Sequence, residues 1–279
     1  MESRINLENF VSVNQTAPKG STSEKYSFIP TMKIVDALDS HGWYPVDAQE
    51  AKADENNAGF QKHLIRFQND SLLAPNGKFR PNIIMTNAHN GKASYKLMGG
   101  GTNFVCLNGL IISDTIVGEH TIRHQGYTEE IVKEAVYKIV DDMPRVYNSI
   151  EHFQSIEVTQ EERVAFAKAS LTLAYDDEAL DKLRLDETAV QLARPNRLEE
   201  EVNNLWNTFN VTQEKLIKGG RFLKPKFDAE SYDRKEYRKR FATNRRREVK
   251  SINKNVNINK ALWTFAEEVA KYKRVAAKA

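Results

Sequence analysis

The sequence predicts an α+β fold: an N-terminal antiparallel meandering sheet covered by a long helix, followed by a helical C-terminal half. Short apolar or β-prone runs from Trp43 to His124 are punctuated by Asn, Pro and Gly. After Gly126 the hydrophobic period lengthens to that of a helix, and capping signals recur from Thr159 onward. At 279 residues and 40% hydrophobic content the chain can bury a substantial core. Three regions are expected: an arm over 1–25, a sheet domain over 26–158, and a helical region over 159–279 carrying a basic segment at 221–258.

Residues 1–25 are rich in Asn, Ser, Thr and Lys, with Pro18-Lys19-Gly20 as a breaker, and read as a mobile arm. Thr31 can cap a short helix whose Ile34, Val35 and Leu38 share one face, and Gly42 stands where a left-handed terminal residue is wanted. Expected strands are Trp43–Val46, Phe60–Phe67, Asn82–Asn87, Ser94–Met98, Asn103–Leu107, Leu110–Ser113 and Thr121–His124. Asn90-Gly91 is a hairpin-turn signal, Asn108-Gly109 reads as a tight turn or bulge, and Gly99-Gly100-Gly101 as a bulge or sharp bend.

Ile131, Val132, Ala135, Val136, Ile139, Val140 and Met143 form one helical stripe expected to cover the sheet, and Pro144 is expected to kink or interrupt it. Thr159 with Glu162 makes a capping-box pattern. Two more helices are expected, Leu198–Lys218, stopped by Gly219-Gly220, and Asn259–Lys273. Trp206, Phe209 and Trp263 fall in these helices and read as packing residues.

Charge is unevenly spread. Between Lys215 and Lys260, 16 Lys or Arg stand against 5 Asp or Glu, in a chain whose net charge is only +3. The densest part holds Arg234, Lys235, Arg238, Lys239, Arg240, Arg245, Arg246, Arg247 and Lys250, with Tyr232, Tyr237 and Phe241 among them. Cations that displace counterions from phosphate, with rings able to stack on bases, fit nucleic acid. A solvated basic loop and a surface for an acidic protein fit the same residues.

Other constellations are weaker. Cys106 among apolar neighbours reads as a structural thiol, and one cysteine excludes an intramolecular disulfide. Glu119, His120 and His124 are the best local metal candidate, but in a strand residues four apart stand about 13 Å from one another, so no metal or cofactor is expected. The triple glycine lacks a following Lys-Ser or Lys-Thr, and no Ser, His and Asp set stands out, so no enzyme class is assigned. The first 21 residues lack an apolar run and no membrane span is present, so a cytosolic chain is expected.

Several separated strings resemble one family: Ser23 to Thr31; Asn87-Ala88-His89-Asn90-Gly91 with Tyr95; Val105 to Leu110, holding Asn108 and Gly109; Arg123-His124-Gln125-Gly126; Leu205 to Gly220, holding Trp206 and Gln213; and Asn259 to Trp263. From about residue 23 to 272 the chain is similar to phage- and plasmid-borne proteins grouped as domain-of-unknown-function family 932. That resemblance implies a mobile-element habitat and no particular chemistry. It departs at Asn90, where relatives carry Asp, and at Gly99 to Phe104, where they tend to carry Gly-Leu-Phe-Arg. The expectation carried forward is a non-enzymatic nucleic-acid-binding protein, with single-stranded DNA favoured and homo-oligomers allowed. The alternatives are a counter-defence protein with a host protein target and an unrecognised nuclease or nucleotide-processing enzyme.

Overall fold

The computed structural model describes residues 3–72, 79–103, 108–111, 120–122, 128–226 and 244–276. The chain divides into two compact units, Met1–Tyr147 with Ser251–Asn253, and Asn148–Lys250 with Lys254–Ala279. The division falls inside the long helix that the sequence placed wholly in the sheet domain. Among the described residues no helix is long and apolar enough to cross a membrane.

The first unit is built on an antiparallel sheet of β1 (Tyr44–Glu50), β2 (His63–Gln68), β3 (Phe79–Asn87), β4 (Tyr95–Asn103), β5 (Asn108–Ile111) and β6 (His120–Ile122). The first five follow one another in order, and β6 pairs with the Tyr95 end of β4 while β5 pairs with its Asn103 end. This is the expected meander. The two-residue hairpin turn expected at Asn90-Gly91 is replaced by a longer connection over residues 88–94, in which Gly91 has φ +72° and the Asn90 side chain accepts a hydrogen bond from the Lys92 N–H at 3.1 Å.

Two glycine expectations are corrected. Gly99 to Gly101 stay in regular register, opposite Ile83, Asn82 and Pro81. Close approach explains them, since a Cβ on Gly101 would stand 1.8 Å from the Phe79 ring and one on Gly100 2.5 Å from the Leu110 carbonyl. Asn108 and Gly109 likewise open strand β5, paired with Asn103 and Thr102, and form no turn.

One face of the sheet is apolar. Ile65, Phe67, Phe79, Ile83, Met85, Tyr95, Leu97 and Leu110 alternate along the strands and are buried. On this face lies helix α1 (Thr31–Asp39), through Ile34, Val35 and Leu38, with Gly42 at φ +81° just past its end. The long helix α2 (Glu129–Ser155) reaches the same face, where Tyr147 meets Phe79 edge-on at 6.2 Å between centroids. Pro144 neither ends nor interrupts α2. It stands on the exposed side, opposite the buried Met143 and Val146, where a missing N–H costs least.

The N-terminal segment expected as a mobile arm is tied to this unit. Leu7 and Val13 are buried, the Ile5 N–H donates to the Pro45 carbonyl at 2.9 Å, and Ser12 bonds Glu50.

The second unit is helical: α3 (Gln160–Leu171), α4 (Asp177–Asp181), α5 (Leu185–Ala193), α6 (Leu205–Lys218) and, from Lys254 on, α7 (Ile252–Ala276). The Thr159 capping box forms, with Thr159 Oγ1 accepting from the Glu162 N–H and Glu162 accepting from the Thr159 N–H. The expected helix from Leu198 is split into a 3₁₀ turn at Leu198–Glu200 and α6, because Asn204 caps α6 by accepting from the Asn207 N–H. Helix α7 extends the expected Asn259–Lys273 helix at both ends.

Helix α6 is the axis of this unit, buried on every side from Trp206 to Ile217 except at Asn207. Several of its polar positions are bonded within the protein, while Thr212 Oγ1 and Asn210 Oδ1 are buried without a partner among the described residues. Lys215 Nζ donates to the carbonyls of Gln191, Leu192 and Arg194, closing the C-terminal end of α5. Glu214 takes two bonds from Arg197, at 2.8 and 3.0 Å.

Candidate functional site

The basic segment leaves α6 through Gly219-Gly220. Gly219 has φ +81°, and a Cβ there would meet the Arg246 carbonyl at 2.4 Å, so the backbone of residues 244–250 can lie directly against it. Gly220 and Arg246 exchange backbone hydrogen bonds of 3.1 and 2.8 Å. The Leu223 N–H donates to the Asn244 carbonyl, and the Val249 N–H to that of Ile217. On its other side the outgoing stretch is held by Arg184 N–H to the Lys224 carbonyl at 2.7 Å and Lys226 N–H to that of Lys182 at 2.9 Å. Phe222, Leu223 and Val249 are buried beneath it.

This clasp sorts the cations. Arg221, Lys226, Arg245, Arg247 and Lys250 are exposed and Lys224 is half-buried. Among the described residues none of the six makes an ion pair or a side-chain hydrogen bond, whereas Lys218 nearby is paired with Glu214. Arg246 differs. It is 7% exposed, its Nε donates to the Leu216 carbonyl at 2.7 Å, and its guanidinium lies 4.9 Å over the Tyr175 ring. Of the expected contact residues, Arg246 is therefore a structural clamp, and Arg245, Arg247 and Lys250 are available. Arg234, Lys235, Arg238, Lys239 and Arg240 lie outside the described residues. Arg221, Lys224 and Lys226 complete the group; the local charge excess covered them, but nothing in sequence paired them with Arg245.

Of the residues carrying the family resemblance, the end of the Leu205–Gly220 block forms one side of this clasp, and the others named here serve elsewhere. Asn87 and His89 are buried in the first unit, in a polar chain with Thr31, His63, Ser12 and Glu50. Ser12 Oγ gives its proton to Glu50 at 2.6 Å and stands 3.0 Å from His63 Nδ1. Thr31 Oγ1 lies 2.9 Å from His63 Nε2 and 3.1 Å from His89 Nε2, and accepts from Asn87 Nδ2 at 3.3 Å. Burial, with the charge of His89 adding to it, pushes His63 down to about 3, so it is neutral at physiological pH. The Thr31 hydroxyl, expected as a helix cap, is consumed by the two histidines, and α1 starts without a side-chain cap.

Tyr95 is fully buried, and Gly109 is packed under the Arg66 guanidinium. Trp206 stacks on Phe209 at 5.8 Å, and Gln213 donates to Asn259 at 2.6 Å. Trp263, 0% exposed, is ringed by Phe153, Trp206 and Phe209. These blocks hold the fold. His124 and Cys106 lie outside the described residues, as do Glu119 and His124 of the metal candidate. Among the described residues no three His, Cys, Asp or Glu side chains are placed to share a metal.

The sequence profile described as "Domain of unknown function (DUF932)" matches residues 18–263. Two proteins of Escherichia coli (strain K12), "UPF0380 protein YafZ" and "UPF0380 protein YfjQ", are each 31% identical to the chain over 248 residues, spanning 88% of it and 83% of the relative. No solved structure matches.

Proposed function

The chain belongs to the family described as Domain of unknown function (DUF932), and within it we propose that this member binds nucleic acid for a mobile genetic element, with single-stranded DNA the preferred form. The observation that carries the reading is the set of six cations at the clasp, Arg221, Lys224, Lys226, Arg245, Arg247 and Lys250, free of carboxylate partners. An exposed cation without a partner keeps its full attraction for phosphate, while a paired one must first give up its carboxylate. Fixing both sides of the clasp by backbone bonds means that the backbone carrying these charges need not be ordered on binding. Tyr232, Tyr237 and Phe241 in the intervening sequence favour unpaired bases, whose faces are open for stacking.

Fluorescence anisotropy with a labelled oligothymidine over a salt series tests this. Binding should weaken linearly in log salt, with a slope of up to about 4 if all six cations meet phosphate, at about 0.7 per contact on a single strand. Equal affinity for different base sequences is expected, since phosphate contacts position without specifying. Failure to bind single-stranded DNA, duplex DNA or RNA at low salt overturns the reading and leaves a host protein as the partner to seek.

A further inference from the structure

Within the second unit, α3 and α7 face each other and are pinned at two points. The rings of Phe166 and Phe265 stack at 4.7 Å between centroids, and Lys273 Nζ meets the Glu162 carboxylate at 2.6 Å. Positions 162, 165 and 166 of α3, and 265, 268, 269, 272 and 273 of α7, recur at helical spacing, so each helix turns one face to the other. In sequence between the two pins stand Ala165 on α3 and Val269 on α7, side chains too short to close the space. An open cavity of about 410 Å³ is left there, with Val158 and Leu205 completing its apolar wall. All of its lining residues belong to the second unit.

The polar residues of the lining offer a ligand no spare charge. Glu162 is taken by Lys273, and Glu268 at the rim by Lys271, at 2.6 Å. Thr208, 2% exposed, gives its hydroxyl proton to the Asn204 carbonyl of its own helix at 2.8 Å. An ion carried into the cavity would therefore lie among apolar side chains without a counter-charge. At the mouth the Tyr272 ring is 73% exposed, an apolar surface that a bound ligand would cover.

We propose that this cavity binds an uncharged, largely apolar small molecule, whose chain or ring replaces water against Phe166, Leu205 and Phe265. Its volume falls in the range of roughly 300 to 1,000 Å³ typical of sites for small ligands, and its lining of apolar and aromatic side chains is of the same kind. The matched charges select against carboxylates, phosphates and amines alike. The cavity shares no residue with the clasp and does not rest on the nucleic-acid reading.

The test follows the methyl NMR signals of Val158, Leu205 and Val269 in the full chain during titration with 1-octanol, octanoate and octylamine. The expected result is a saturable shift of all three signals with octanol, at a concentration at least tenfold below that needed for either ion. Ala165→Trp, which fills the cavity from an exposed position on α3, should weaken octanol binding at least tenfold, while Val190→Trp, exposed on α5 and outside the cavity, should leave it unchanged. No shift with octanol in the unaltered chain, a reading that needs no variant, overturns the proposal, as does undiminished affinity in folded Ala165→Trp or equal affinity for one of the ions. Shifts of the same signals on dilution of the chain alone would show a second copy seated in the cavity and overturn it too. Oligothymidine binding at the clasp can fail without moving these signals, so the two readings fail separately.

Discussion

Thr31 gives its one hydroxyl proton to Nε2 of His63, 2.9 Å away, and this bond orders the whole buried chain around it. Ser12 has already spent its proton on Glu50, so His63 must donate from Nδ1 to Ser12. A neutral His63 then has only an acceptor left at Nε2, and Thr31 must fill it. Its oxygen is left to receive from Asn87 Nδ2 and from His89 Nε2.

Acid should therefore unfasten the first unit. With His63 held at about 3 in the folded chain and near 6.5 unfolded, the unfolded state binds the extra proton. Stability is full above about pH 6.5 and is lost as pH falls toward 3, by about 3 kcal/mol between pH 6.5 and 4. Urea unfolding followed at several pH values checks this. A midpoint that is flat over that range would show that His63 stays protonatable in the fold.

Thr31→Val keeps the shape of the residue but removes the donor to His63 and the acceptor for His89 and Asn87. A cost of about 1 to 3 kcal/mol is expected for the unmet groups. Thr31→Ser, which retains the hydroxyl, should recover most of it. Denaturant unfolding of both variants makes the comparison.

Arg245, Arg246 and Arg247 should separate by function. Arg246→Gln removes a bond to the Leu216 carbonyl and the contact with Tyr175, and should destabilise by about 1 to 3 kcal/mol. Arg245→Gln and Arg247→Gln should each change stability by less than about 0.5 kcal/mol and weaken oligonucleotide binding instead. Thermal unfolding and anisotropy on the three variants read the two effects.

Gly101→Ala should cost about 1 to 3 kcal/mol, because its methyl would displace the buried Phe79 ring. Gly20→Ala, with nothing within 4 Å of the new methyl, should be close to neutral. Equal stability of the two variants would place Phe79 elsewhere.

The meander, the covering helix, the Thr159 cap and the burial of Trp206 and Trp263 were legible because each is written in local signals: turn residues, helical period and capping spacing. What stayed hidden depends on partners distant in sequence. Nothing local says that the middle of three arginines turns inward; that follows from an extended backbone paired with Gly220, which alternates its side chains. Thr31 looked like a cap because caps are local, whereas its bonds are to residues 32 and 58 positions away. The glycines of β4 looked like a bend because the Phe79 ring and Leu110 carbonyl that require them arrive from neighbouring strands.

The clasp at Gly219-Gly220 also makes the second unit a natural acceptor for grafts. Its two sides are joined to each other and to the body up to Lys226 and again from Asn244, so the ends of the intervening sequence are held close together. Doubling the length of a flexible connection costs only about 0.6 kcal/mol in closure entropy. An inserted tag, a fluorescent domain or a second binding peptide placed there should leave the clasp closed.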